Sequence, residues 1–147
     1  MKILYYRTER SSISERLQKS IEDATQDCQI SIAISVNNLL DEIPDLAYGK
    51  GIAVLLTTSR KELEHLLTIR EQLRDIRIIL ILPDQKAQTI ARGHRLYPRY
   101  VSYADCDFND VSAVLSNMVA LKVPGIVKKI IHTQKIFNFE IGKINKN

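Results

Sequence analysis

Five short apolar runs alternate along the chain with stretches of helical periodicity, and this alternation constrains the fold more than any other feature. The runs cover residues 3–6, 30–36, 52–56, 76–82 and 99–103. Strands separated by helices pair in parallel, because each helix returns the chain to the same end of the sheet. We therefore predict an α/β fold of the flavodoxin-like kind, a five-stranded doubly wound parallel sheet with helices on both faces. The common strand order for this unit count is 2-1-3-4-5.

Short polar motifs predict where the helices begin. Ser12-Ile13-Ser14-Glu15 and Ser59-Arg60-Lys61-Glu62 have the pattern of capping boxes, in which a serine and a glutamate satisfy the free amides of the first turn. Asp84 and Asp107 are predicted caps of the fourth and fifth helices. Pro44 is expected to limit the second helix.

Apolar spacing predicts which helix faces are buried. The third helix is expected to run for about four turns, from Leu63 to Leu73. Small and apolar residues predict the inner stripe of the fourth helix, which is Ala87, Ile90, Ala91 and His94.

The positive charge of the chain is confined to its C-terminal end. The 147 residues have a formal net charge of +4, and residues 126–147 contain five lysines against the single acid Glu140. The remaining 16 basic and 16 acidic residues balance. We therefore predict one domain over residues 1–123 and a basic tail or linker over residues 124–147, and we do not expect a nucleic-acid-binding face on the domain. Within the tail, Phe137, Phe139 and Ile141 alternate with polar residues, as in a half-buried strand.

Several function classes lack their sequence signals. No apolar run approaches the ~18–20 residues that span a bilayer, and the N-terminus lacks a signal peptide pattern, so a cytoplasmic protein is expected. Cys28 and Cys106 form neither a metal motif nor a disulfide framework. The three histidines share no ligand spacing, so we predict no metal. Because the sequence also has no nucleophile elbow, Gly-rich phosphate loop or HExxH motif, we predict no cofactor and no enzyme activity.

From Lys2 to Leu121 the order and spacing of the elements resemble the receiver domain of bacterial response regulators. The closest stretch runs from Gly51 to Val119 and includes the tyrosine-rich segment Tyr-Val-Ser-Tyr at 100–103. The resemblance implies a site at the carboxyl ends of the strands. Receivers hold Mg²⁺ there with two acids after the first strand, and an aspartate after the third strand accepts a phosphoryl group. A hydroxyl residue and a lysine follow the fourth and fifth strands.

This chain departs from the receiver pattern at each of those positions. The acidic pair falls on Arg7 and Thr8, the acceptor on Thr57, the hydroxyl on Pro83 and the lysine on or beside Tyr103. The chain is therefore expected to be a pseudo-receiver of two-component signalling that binds a protein partner, with a homodimer as one form, and is not phosphorylated on aspartate.

Receivers commonly use the surface of the fourth helix, fifth strand and fifth helix for partners. Arginines and tyrosines are frequent in interface hot spots, and here that surface offers several of them. The predicted partner surface comprises Arg92, Arg95, Tyr97, Arg99, Tyr100 and Tyr103.

The first strand-to-helix turn supports a different interpretation. Flavodoxins bind the phosphate of FMN with a hydroxyl-rich turn at this place, and a helix N-terminus favours an anion. The candidate anion-binding turn consists of Arg7, Thr8, Arg10, Ser11 and Ser12. It lacks the glycine that would let backbone amides approach the phosphate. A third possibility, nucleic-acid binding by the basic tail, is weaker because the lysines are sparse.

Overall fold

The structure is a computed structural model that describes residues 1–121. Within them, five strands and five helices alternate: β1 (Lys2–Tyr6), α1 (Ser12–Ala24), β2 (Gln29–Ala33), α2 (Val36–Leu46), β3 (Gly51–Leu56), α3 (Arg60–Leu67), β4 (Arg77–Leu82), α4 (Ala87–Gly93), β5 (Tyr100–Tyr103) and α5 (Asn109–Ala120). The strands form one parallel sheet in the order β2-β1-β3-β4-β5. The predicted α/β fold and its strand order are confirmed.

The central strands β3 and β4 owe their near-uniform apolar sequence to cover on both faces. Every residue of β3 is buried, as are all residues of β4 after Arg77. On one face, Leu55 and Leu80 lie side by side in the sheet and belong to a core that includes Leu63 of α3. On the other face, the Tyr5 hydroxyl donates to the Ser14 carbonyl of α1 at 2.8 Å. Helices therefore cover both faces, as the parallel topology requires.

Two helix starts differ from the sequence prediction. Ser11, not Ser12, caps α1, and its capping-box partner is Ser14 rather than Glu15. The α4 helix is preceded by Lys86, whose side chain makes no cap, while Asp84 accepts the Lys86 N–H at 2.9 Å. The Thr89 hydroxyl and that N–H together hold the pKa of Asp84 below its usual value.

The starts of α3 and α5 follow the prediction in part. Ser59 caps α3 by accepting the N–H of Glu62 at 3.2 Å. The Glu62 carboxylate accepts the N–H of Thr58 instead of that of Ser59, which the predicted capping box would require. Asp107 accepts the N–H of Asn109, the first residue of α5, at 3.0 Å, so it lies one residue before the cap position. Short polar side chains before an apolar run therefore locate these helix starts to within one residue.

Two helices differ from their predicted length. The α3 helix ends at Leu67, and residues 68–75 form tight turns instead of further helix. In one of these turns the Gln72 N–H donates to the Ile69 carbonyl. Pro44 does not stop α2 at once, since the helix continues for two residues to Leu46; the proline lacks the N–H that would bond the Leu40 carbonyl, and α2 ends within the same turn.

The predicted inner stripe of α4 is wrong. Its buried residues are Thr89 and Gly93, with Leu96 buried in the 3₁₀ turn that follows, whereas Ala87, Ala91 and His94 are exposed and Ile90 is half-buried. Gly93 lies so close to β4 that a Cβ at this position would be only 2.9 Å from Cδ2 of Leu82. The helix thus approaches the sheet through a residue that no hydropathy pattern marks as buried.

The chain divides into two compact units, Met1–Leu115 and Ser116–Asn147. The described part of the second unit is the end of α5 and Leu121, whose N–H donates to the Asn117 carbonyl at 3.1 Å. No helix within residues 1–121 is long and apolar enough to cross a membrane. The predicted tail, the boundary at residue 123 and the alternating segment at 137–141 lie outside the described residues.

Candidate functional site

The carboxyl ends of β1 and β3 form the edge where a receiver places its chemistry. Thr57 directly follows β3 and is fully buried. Its hydroxyl donates to the Ile81 carbonyl of β4 at 2.7 Å, and its N–H donates to the same oxygen at 3.0 Å. The residue at the predicted acceptor position therefore extends the pairing of β3 with β4 instead of pointing a reactive oxygen into solvent.

Arg7 follows β1 and is half-buried. Its backbone N–H donates to the Ala33 carbonyl at 3.0 Å and so extends the pairing with β2. Its Nε is buried and has no hydrogen-bond partner among the described residues. A guanidinium thus occupies the place where a receiver has an acidic residue.

A small cleft opens between the turns that follow β1 and β3. It has a volume of about 140 Å³ and is lined by Thr8, Glu9, Ser11, Ile13, Leu56, Thr58 and Glu62. Two carboxylates and three hydroxyls supply its polar lining, and Leu56 closes the β3 end.

Glu62 ties the two turns of this cleft together. One carboxylate oxygen accepts the hydroxyl of Thr8. The other accepts the N–H and the hydroxyl of Thr58, at 2.8 and 3.2 Å. Burial, followed by the nearby Glu62 carboxylate, raises the pKa of Tyr6. Glu62 therefore acts as a clamp between the turn after β1 and the start of α3.

The candidate anion-binding turn is only partly assembled into this cleft. Thr8 and Ser11 line it, while Arg7, Arg10 and Ser12 do not. Arg10 pairs with Glu15 at 3.1 Å, and the Ser11 hydroxyl accepts the N–H of Ser14 at 3.1 Å. Arg10 and Ser11 are thus engaged with their own helix and Thr8 with Glu62 of α3, and the charged groups that line the cleft are the carboxylates of Glu9 and Glu62.

The other two receiver positions lie apart from the cleft. Pro83 follows β4 and is half-buried, and Tyr103 ends β5 and packs against the core shared with α2 and α3. Within residues 1–121, no three His, Cys, Asp or Glu side chains are grouped so that they could hold a metal ion.

The predicted partner surface separates into bound and free side chains. Arg92 of α4 donates from Nε and from Nη2, the latter at 2.7 Å, to the carboxylate of Glu64 in α3. This pairing lowers the pKa of Glu64 and raises that of Arg92. The Tyr100 hydroxyl donates to Asp110 at 2.7 Å.

The remaining residues of that surface project into solvent. Arg95 and Arg99 are exposed, and Tyr97 is 82% exposed. Tyr97 has a φ of 53°, a left-handed conformation that its Cβ disfavours. These three side chains are the part of the surface left available for a partner.

Comparisons of the chain with protein-family models, curated proteins and solved structures found no match. Sequence analysis did not predict the clamp made by Glu62, because Thr8 and Glu62 are 54 positions apart and meet only through the pairing of β1 with β3. The available signal was the pair of turns at adjacent strand ends.

Proposed function

We propose that this chain is a non-catalytic pseudo-receiver that acts in signalling through protein–protein contacts and takes no phosphoryl group on aspartate. A cytoplasmic location and a place in a two-component pathway belong to the same proposal. The observation that carries it is Thr57, whose hydroxyl is buried and bonded to the Ile81 carbonyl at the position of the phosphoacceptor. Phosphoryl transfer needs an accessible nucleophilic oxygen, and here that place is filled by sheet pairing.

The charged side chains near the carboxyl ends of β1 and β3 support the same proposal. A receiver binds Mg²⁺ through carboxylates, since this ion prefers oxygen ligands. Arg7 stands in their place, and a guanidinium at short range repels a dication by roughly several kcal/mol at moderate dielectric. Glu62, the half-buried carboxylate nearby, already accepts three hydrogen bonds from Thr8 and Thr58.

A phosphate-bearing ligand at the first turn is less well supported. Glu9 and Glu62 line the cleft, and Arg10 is paired with Glu15. An anion entering the cleft would meet carboxylates before any unpaired cation. We therefore favour protein contacts over nucleotide or FMN binding.

The predicted partner surface supports binding of a protein partner. Tyr97, Arg95 and Arg99 are exposed, and none of the three side chains forms a hydrogen bond or an ion pair with another residue of the described part of the chain, 1–121. Aromatic and arginine side chains contribute most when an interface buries them. We assign partner binding to these three residues.

The chemical half of the proposal is tested with the full chain, Mg²⁺ and acetyl phosphate. Intact-mass spectrometry is expected to show no stable phosphorylated species, and beryllofluoride is expected to leave the thermal unfolding midpoint unchanged. A phosphoryl adduct mapped to an aspartate would overturn the proposal.

The contact half is tested with a photo-cross-linking amino acid at position 97 in the native host. Position 48 provides the matched control, because Tyr48 is also left-handed, with φ 57°, and 80% exposed. We expect a discrete cross-linked protein from position 97 that is absent from position 48. Identical products from both positions, or none from either, would contradict the assigned surface.

A further inference from the structure

The edge strand β2 directs half of its backbone groups away from the sheet. Gln29 N–H donates to the Met1 carbonyl at 3.2 Å, and Arg7 N–H donates to the Ala33 carbonyl at 3.0 Å. Alternate residues of a strand bond to opposite sides, so Gln29, Ser31 and Ala33 face β1. The N–H and C=O groups of Ile30 and Ile32 therefore point outward from the sheet.

The same strand exposes an apolar row. Ile30 and Ile32 lie beside Ile3 and Tyr5 of β1, on the face covered by α1, and Ile34 is the first residue after β2. Ile32 is 41% exposed and Ile34 is 54% exposed. Such exposure on an edge strand favours pairing with another strand.

The side chains that usually protect an edge strand are missing from the sequence of β2 and the two residues after it. Residues 29–35 contain no charged side chain and no proline. Ile34 N–H has one long bond to the Asn38 side chain, at 3.4 Å. Lysine, proline or a bulge normally keeps such an edge from pairing.

We propose that β2 pairs antiparallel with β2 of a second copy, about a two-fold axis at Ile32, to form one ten-stranded sheet. In this register Ile32 faces its own symmetry mate and Ile30 faces Ile34 of the second copy. The outward N–H and C=O groups of Ile32 then pair with those of its symmetry mate. Those of Ile30 pair with Ile34 of the second copy, whose N–H exchanges its long bond to Asn38 for this one.

The strand itself identifies a second copy as the occupant. A two-fold interface must be self-complementary, and this row is palindromic in chemical character about Ile32. Because the strand is uncharged, the axis brings no like charges together. The inference goes beyond the proposed function and does not depend on it, since it concerns the opposite edge of the sheet from Tyr97.

Thiol cross-linking tests the register. In a full-length Cys28→Ser, Cys106→Ser background, Ile32→Cys is expected to form a covalent dimer with a short bifunctional thiol reagent, because paired Cα atoms lie about 5.5 Å apart. Ile30→Cys or Ile34→Cys alone is expected not to cross-link, since each lies four residues of about 3.4 Å from its mate. An equimolar mixture of these two variants is expected to cross-link.

A charge test measures the association itself. Sedimentation of the wild-type chain is expected to show a monomer–dimer equilibrium, and Ile32→Lys is expected to weaken it by about tenfold or more, because two ammonium groups would meet at the axis. Tyr48→Lys is the matched control and is expected to leave the equilibrium unchanged. Circular dichroism and the unfolding midpoint verify that both variants fold.

Three results would overturn the inference. They are a wild-type chain that stays monomeric up to about 1 mM, a dimer unaffected by Ile32→Lys, and cross-linking of Ile30→Cys or Ile34→Cys alone in preference to Ile32→Cys. A monomer whose binding of a different protein is lost in Ile32→Lys would likewise assign the edge to that protein and not to a second copy.

Discussion

The two edge strands of the sheet differ in how their surroundings close them. At β5, the Tyr100 hydroxyl is bonded to Asp110, and buried Phe108 anchors the turn into α5. At β2, the corresponding side chains are Ile32 and Ile34, which are exposed. Both strands occupy an edge of the same topology. We call an edge closed where the side chains at its strand are bonded or buried, as at β5. The strand order does not determine this closure, which depends on the side chains at each edge.

The largest expected effect compares one side chain at each edge. Phe108→Ala is expected to lower the free energy of unfolding by about 3–5 kcal/mol, because Phe108 is fully buried and the Arg16 guanidinium lies 5.2 Å above its ring. Ile34→Ala is expected to cost under about 1 kcal/mol, because Ile34 is largely exposed. Urea denaturation at low protein concentration measures both changes. Equal losses would contradict the difference between the edges.

The second prediction concerns alkaline pH and the closed edge. Burial, and then the bond to Asp110, raises the pKa of Tyr100, and burial raises that of Tyr5. Above pH ~10 the unfolded chain loses these protons while the folded chain keeps them, so stability falls by up to about 1.4 kcal/mol per pH unit for each tyrosine. Below that pH their contribution is fully present.

Tyr100→Phe separates the contribution of the closed edge from that of Tyr5. At neutral pH this variant is expected to be about 1–2 kcal/mol less stable, because the bond to Asp110 is lost. Its decline in stability is expected to be shallower between pH ~10 and ~11, so the two curves converge. Urea unfolding across that range tests this, and parallel curves would show that Tyr100 ionises equally in both states.

The smallest expected effect concerns a buried hydroxyl in β5 without a hydrogen-bond partner among the described residues. Ser102 of β5 is 1% exposed, and its hydroxyl has no hydrogen-bond partner within residues 1–121. Ser102→Ala is expected to stabilise the fold by up to about 1 kcal/mol, because it removes a buried polar group at the loss of little packing. Ser31→Ala on half-buried β2 is the control and is expected to have little effect. A loss of stability in Ser102→Ala would indicate a bond to the remainder of the chain.

Elements that depend on long patterns were predictable from the sequence. The alternation of apolar runs and helical stretches determines the five parallel strands, and the buried runs of β3 and β4 follow from their composition. The residues at which the helices begin and end were less predictable. Ser11 and Ser12 are adjacent serines, and which of them caps α1 depends on where the chain leaves β1.

Contacts that arise from packing were not predictable. The inner face of α4 was misassigned because Gly93 has no side chain to count, yet it faces the side chains of Leu80 and Leu82. The clamp of Glu62 on Thr8 depends on the register between β1 and β3, which periodicity does not specify. The identity of the residues at the strand ends was readable, but their hydrogen bonds were not.

The buried bond between Thr57 and Ile81 limits how this edge could change in evolution. An aspartate introduced at position 57 would place a carboxylate against a carbonyl oxygen inside the sheet, where an ionised group is strongly disfavoured. Gaining an acceptor would require extra residues between β3 and α3, to carry the new side chain out to water. Replacing Thr57 by aspartate without lengthening the turn is therefore expected to give an unstable protein and not a phosphorylated one.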